Sequence, residues 1–184
     1  MYNKIAVIYK SKYGSSKKYA QWIAEEVKGD LFNSSNIKGE KLKEYDIIVY
    51  GGGLYASGIS GISLITKNFD ILKDKKIIVY TVGLASTDKK EIFIPIIEKN
   101  FHKSQRERIK FFHLRGGIEY KKLSLVHKSM MAMLKKVTAK KPEDKLTNEE
   151  IEFLATYGDK VDFTDKNTIV PLVKYISNSI YLGD

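Results

Sequence analysis

Three short, nearly unbroken runs of Ile and Val constrain the fold most: Lys4 to Tyr9 (KIAVIY), Asp46 to Tyr50 (DIIVY) and Lys76 to Val82 (KIIVYTV). A strand with one solvated face alternates apolar and polar residues, whereas one covered on both faces does not. The runs therefore predict central strands of a parallel sheet, whose neighbours need crossovers of roughly a dozen residues or more. Ser15 to Val27 supplies one crossover, with Tyr19, Trp22, Ile23 and Val27 at helical spacing and Lys and Glu opposite. Asp30 to Asn33 and Lys110 to Leu114 (KFFHL) read as two further strands. Asp88 to Asn100 reads as a helix capped by Asp88, in which Pro95 kinks the helix or shifts its start. Asp165 to Asn178 opens on a capping Asp, carries Ile169, Leu172, Val173 and Ile176 on one stripe, and is expected to close the sheet's second face. The sum is one α/β domain over residues 1–184, with an open, doubly wound, five-stranded parallel sheet and helices on both faces. Ligands of such sheets sit beyond the carboxyl ends of the strands, so the loops there are the candidate site.

The first of these loops is Ser11-Lys12-Tyr13-Gly14-Ser15-Ser16, which runs straight into the first helix. Backbone amides at a helix start, the helix dipole and three Ser hydroxyls could converge on a phosphate monoester, with Gly14 allowing a tight turn. An ordinary helix cap is the competing explanation, since Ser before a helix is common. The order of strand, hydroxyl-rich loop and helix resembles the flavodoxins, whose phosphate loop has the pattern T/S-x-T-G-x-T. Ser11, Gly14 and Ser16 match it, and Tyr13 stands where the pattern has Thr.

That resemblance implies a flavodoxin-like fold and non-covalent FMN, its ring lying between loops after the third and fourth strands. Gly51-Gly52-Gly53-Leu54-Tyr55 and Val82-Gly83-Leu84-Ala85-Ser86-Thr87 occupy those places. Glycines allow close approach of the backbone to a flavin, and Tyr55 is placed to stack on it. The second loop lacks the aromatic that many flavodoxins carry there, so one face of the ring would be open to a substrate. Gly51, Gly53 and Ala56 also satisfy G-x-G-x-x-A, a dinucleotide fingerprint. Ser57-Gly58-Ile59-Ser60-Gly61 interrupts the helix that motif should open, and the motif belongs to the first strand-helix turn.

A basic amphipathic insertion follows at about 115–150. From Arg115 to Lys145 there are nine Lys or Arg against three acids, a surplus of six out of the net charge of +10. Leu123, Val126, Met130, Met133, Leu134 and Val137 recur there at helical spacing. Such a stripe ordinarily faces a core; an anionic membrane or an acidic partner is the other use for residues 115–145. Leu114-Arg115-Gly116-Gly117-Ile118-Glu119-Tyr120 and the Met-rich stretch after it resemble the flavodoxin branch containing menaquinone-dependent protoporphyrinogen oxidase. That likeness implies an FMN oxidoreductase moving electrons between a porphyrinogen-like substrate and a quinone. An electron carrier docking to a redox protein, and a flavin-free domain binding an anionic surface, are the other readings.

The chain has no cysteine, which excludes disulfides, thiolate metal sites and cysteine nucleophiles and leaves redox chemistry to a bound cofactor. No apolar run reaches the roughly 18 residues of a spanning helix, and the apolar run at Lys4 leaves no room for a leader, so a cytoplasmic setting is expected. His102, His113 and His127 lack companions at metal-ligand spacing and read as surface or structural residues. The lysine-rich stretch lacks the interleaved aromatics of a nucleic-acid platform, and no G-x-S-x-G elbow supports hydrolysis. No catalytic side chain and no metal ligand is named: the chemistry expected resides in the flavin.

Overall fold

The computed structural model describes residues 4–181. In chain order its strands and α-helices are β1 (Ile5–Lys10), α1 (Ser15–Val27), β2 (Asp30–Asn33), β3 (Ile47–Tyr55), β4 (Gly58–Ile59), α2 (Ser63–Thr66), β5 (Lys76–Gly83), α3 (Ile94–Asn100), α4 (Lys103–Arg106), β6 (Ile109–Arg115), β7 (Gly117–Glu119), α5 (Leu125–Thr138), α6 (Asn148–Ala155), β8 (Lys160–Asp162) and α7 (Val170–Tyr181). Five strands form a parallel sheet in the order β2-β1-β3-β5-β6, and β4 adds an antiparallel hairpin to β3. The register sets Lys10 beside Gly52, Gly53 beside Val82 and Gly83 beside Arg115, so the carboxyl ends of four strands finish together.

The apolar runs are buried on both faces because side chains alternate between two cores. Val7, Val49, Ile78 and Tyr80 pack with Tyr19 and Ile23 of α1 and with Leu172 and Ile176 of α7. Ile8, Ile48, Tyr50 and Val79 pack on the other side with Leu42, Ile65, Leu72 and Phe101. The carboxy-terminal helix thus shares the face of α1 and does not close the second face. The strand order explains this. Right-handed connections that first move outward from β1 to β2 and then the other way must lie on opposite faces, leaving α1 alone on its side. Its uncovered half, over Ile78 and Leu114, is filled when α7 returns.

Two further expectations change. β3 runs on through Gly51 to Tyr55, because Gly51 and Gly52 pair with both β1 and β5 and Gly53 with β5. A Cβ at Gly51 would land on the Tyr80 ring, and one at Gly52 on Ile59. They serve packing within the sheet. The helix expected over 88–100 divides into a 3₁₀ turn at Lys90–Phe93 and α3, with Pro95 in the first turn of α3, where its missing N–H costs no hydrogen bond. Asp88 caps neither; it accepts a hydrogen bond from the Ser86 hydroxyl at 2.7 Å. Asp165 caps a 3₁₀ turn, Lys166–Ile169, that leads into α7.

Between β6 and α7 the chain makes a long excursion that extends past residue 150 and returns through β8. The antiparallel pair β7-β8 ties its two ends together, with Gly117 opposite Asp162. Neither strand was legible in the sequence, each being three residues long. Ser124 caps α5, and Thr147 with Glu150 forms a capping box on α6.

Candidate functional site

The loop between β1 and α1 is closed by its own hydrogen bond, in which Gly14 N donates to Ser11 Oγ at 3.1 Å. Gly14 has φ 104 and stands as the N-cap of α1 without a side chain to satisfy the first amides. No acidic residue lies in the first turn. These amides, at the positive end of a 13-residue helix, are therefore available to an anion. Ser15 Oγ accepts from Gly117 N at 3.1 Å, and Ser11 Oγ accepts from Gly14 N, so both hydroxyls keep their proton for an incoming acceptor.

Beside this loop lies a cleft of about 170 Å³. Ser11 and Tyr13 of the β1–α1 loop, with Ser15 and Ser16 at the start of α1, form one wall; Gly53, Leu54, Tyr55 and Ala56 come from the end of β3 and the turn after it; Val82, Gly83 and Leu84 from the end of β5 and the residue after it. Gly116, Gly117 and Ile118 close the far side, and Leu123, His127, Met130 and Met131 roof it. Tyr55 is held by a two-residue hairpin turn in which Ala56 and Ser57 take φ 48 and 63, left-handed backbone for residues with side chains. Lys99 Nζ donates to the Ala56 carbonyl at 2.9 Å and Asn100 Nδ2 to that of Ser57 at 2.8 Å, which fixes the strained turn.

An aromatic cluster spans the cleft. The His127 imidazole stacks on Tyr55 at 4.8 Å and 13°, and its Nδ1 lies 2.7 Å from Tyr13 Oη. Ser124 N also donates to Tyr13 Oη, at 3.3 Å. Burial pushes the Tyr55 phenol up to about 12. Burial also raises Tyr13, but the hydrogen bond from Ser124 and the charge of Lys12 outweigh it and leave this phenol below its ordinary value. Burial and then Lys12 hold His127 below the usual imidazole value.

A second cavity of about 510 Å³ adjoins the cleft, sharing Leu54, Gly83, Leu84, Ile118 and Met131 as a common wall. Phe93, Tyr120, Phe153 and Phe163 line it. Glu149, Glu150 and Glu152 also line it, and the half-buried Arg115 is the cation among them: Nη2 meets Glu152 at 2.7 Å, Nε donates to the Leu84 carbonyl at 3.1 Å, and the guanidinium lies 3.8 Å from the Phe163 ring centre.

A family model described as the flavodoxin domain matches residues 6–145. The chain belongs to the flavodoxin domain family. A curated relative, an uncharacterized protein of Methanocaldococcus jannaschii, is 25% identical over 113 residues, 58% of this chain and 66% of that one, just under two thirds of its length. Among solved structures, a flavodoxin, WrbA-like protein from Agrobacterium tumefaciens matches at 17% identity and TM-score 0.41, covering 60% of this chain and 83% of that one. Megasphaera elsdenii flavodoxin matches at 16% and 0.43, covering 59% and 82%.

Membership of the flavodoxin domain family implies a flavin, and the residues present fit one. The uncapped amides and two free hydroxyl protons suit a phosphate, and no heavy atom lies within 4 Å of a Cβ built on Gly14. The cleft alone is smaller than the roughly 300–1,000 Å³ of ordinary ligand sites, but cleft and second cavity together fall within it.

Of the positions singled out in the sequence, this flavodoxin domain brings Ser11, Tyr13, Ser15, Ser16, Gly53, Leu54, Tyr55, Val82, Gly83 and Leu84 together around the cleft. Gly14 shapes the loop behind it. Lys12 turns away, its Nζ 3.4 Å from Ser124 Oγ. Gly51 and Gly52 lie within the sheet. Ala85 lines the second cavity, while Ser86 and Thr87 line neither. Gly116, Gly117, Ile118 and the roof residues had not been singled out for the site. The glycine pair within Leu114 to Tyr120 was the available signal: a Cβ at Gly116 would press on Val82 and Ser15. His127, read as surface or structural, reaches the centre of the cleft. The stripe on α5 is corrected too: Val126 is 67% exposed and Met133 71%, and the helix rests instead on His127, Met131 and Thr138. Periodicity identifies an apolar face but not its direction.

Proposed function

We propose that this flavodoxin domain binds FMN and transfers electrons from a small, porphyrinogen-like reductant to a quinone-class acceptor that approaches the ring through the second cavity. The observation that carries this reading is the common wall of Leu54, Gly83, Leu84, Ile118 and Met131, which puts an aromatic-lined cavity against the expected ring position. Bound FMN would supply the electron transfer itself. Ser11, Ser15 and the first-turn amides of α1 hold the phosphate, Leu54 to Ala56 and Gly83 to Leu84 border the ring, and α5 excludes water from above. Arg115, held against the Phe163 ring and paired with Glu152, offers a cation at the cavity wall suited to orienting a carbonyl. A second reading, a carrier docking to an acidic redox protein, is favoured by the net charge of +10.

The test begins with the purified full chain and an FMN fluorescence titration. Saturable quenching by FMN is expected. Gly14→Val should weaken it about tenfold or more, because φ 104 strains a branched residue by roughly 1–3 kcal/mol. A protein that binds no FMN would sink the reading in favour of a flavin-free domain. Reduction of a soluble naphthoquinone by the loaded protein, with a chemical reductant and no partner protein, supports the enzyme; binding without such turnover leaves the carrier.

A further inference from the structure

We propose that the outer face of α5 docks on an anionic lipid surface. Among the described residues eleven large hydrophobic side chains are substantially exposed, and six of them lie on this one helix. Leu125 is 84% exposed, Met133 71% and Val126 67%, and Val137 extends the patch, while the less exposed Met130 and Leu134 turn toward the cleft and the second cavity. No described element covers it, although the helix has its own cap at Ser124 and is held to the body by His127, Met131 and Thr138. Isolated apolar side chains on a surface need no explanation, but four on the outward side of one 14-residue helix form a patch that water does not favour.

Charge selects the occupant. Lys128, Lys136 and Lys140 lie on or just beyond this helix, are exposed, and take part in no ion pair among the described residues. Lys121, also exposed and in no ion pair among the described residues, precedes it, while Lys122 pairs with Glu119 at 2.9 Å. A second copy of the chain would bring this lysine-rich face against itself, with net charges of +10 repelling. Anionic headgroups instead neutralise the lysines while the acyl boundary accepts Leu125, Val126 and Met133, the arrangement of an interfacial amphipathic helix. Leu125, Val126, Met133 and Val137 line neither the cleft nor the second cavity, so the inference does not depend on the proposed redox function.

Co-sedimentation of the full chain with vesicles tests it, using phosphatidylcholine alone and phosphatidylcholine with about one third phosphatidylglycerol, a proportion that gives a strongly negative surface. Binding to the anionic vesicles only, released by salt, is expected. Lys128→Gln, Lys136→Gln and Lys140→Gln together should weaken it by roughly a hundredfold, about fivefold for each lysine near the surface. Val126→Ser with Met133→Ser should weaken it without altering the salt dependence, and because both residues are exposed the variant should fold. Equal sedimentation with neutral vesicles, no binding at low salt, or variants that bind like the parent would each overturn the proposal. So would a concentration-dependent dimer that buries the patch and does not bind vesicles.

Discussion

His127 occupies the face of Tyr55 that it covers, and that face stays closed to a flavin until the imidazole moves. Stacking on Tyr55 and the 2.7 Å contact with Tyr13 Oη together stabilise the closed arrangement by roughly 1–3 kcal/mol. His127→Ala is therefore expected to tighten FMN binding by about five- to a hundredfold, read by fluorescence titration. A loss of affinity would instead make His127 a clamp on the ring. His113 has a different role. It stacks on Phe93 at 3.8 Å, and its Nδ1 lies 2.7 Å from the buried Thr81 hydroxyl. Burial, aided by Lys90, pulls it down to about 4. Between pH ~6.5 and ~4 the unfolded chain binds more protons than the folded one, so stability should fall as pH falls through that window and level off below it. The expected loss is on the order of 1–3 kcal/mol in urea titrations at the two ends. His113→Gln should flatten that part of the profile; an unchanged slope would assign it to other groups.

At the scale of elements, α5 depends on its cap to an unusual degree, because so little of its apolar surface is buried. The Ser124 hydroxyl accepts from His127 N at 3.4 Å, and the Ser124 amide donates to Tyr13. Ser124→Ala should cost about 1 kcal/mol of local helix stability. Hydrogen exchange is expected to quicken about fivefold over residues 125–138 while β1 and β5 stay protected. Equal acceleration in the strands would mean that α5 unfolds only with the whole molecule. The strands themselves need no such support: their burial was legible because a continuous Ile and Val run has only one place to go. The broken helix before Asn100 was legible only in part, since Pro95 marks a boundary without saying on which side the helix survives.

For the whole molecule, ligand binding and stability are linked. FMN at a hundred times its dissociation constant should stabilise the fold by about 2.7 kcal/mol, a rise in melting temperature of roughly 5–10 °C for a chain of this size. Riboflavin at the same concentration lacks the phosphate, so its shift should be much smaller if the α1 amides grip that group. Equal shifts in a thermal melt would contradict the role given to Ser11 to Ser16.

Local chemistry alone determined the five strands, α1, the tight turn at Gly14 and the amphipathic character of α5. These follow from side-chain periodicity, caps and turn residues acting within a few positions of one another. Only the tertiary structure decided that the excursion folds back through β7 and β8, that α7 shares the face of α1, and that His127 meets Tyr13 across 114 residues of chain. Those outcomes rest on contacts between distant segments, whose closure depends on the assembled sheet and leaves no repeating mark on the sequence.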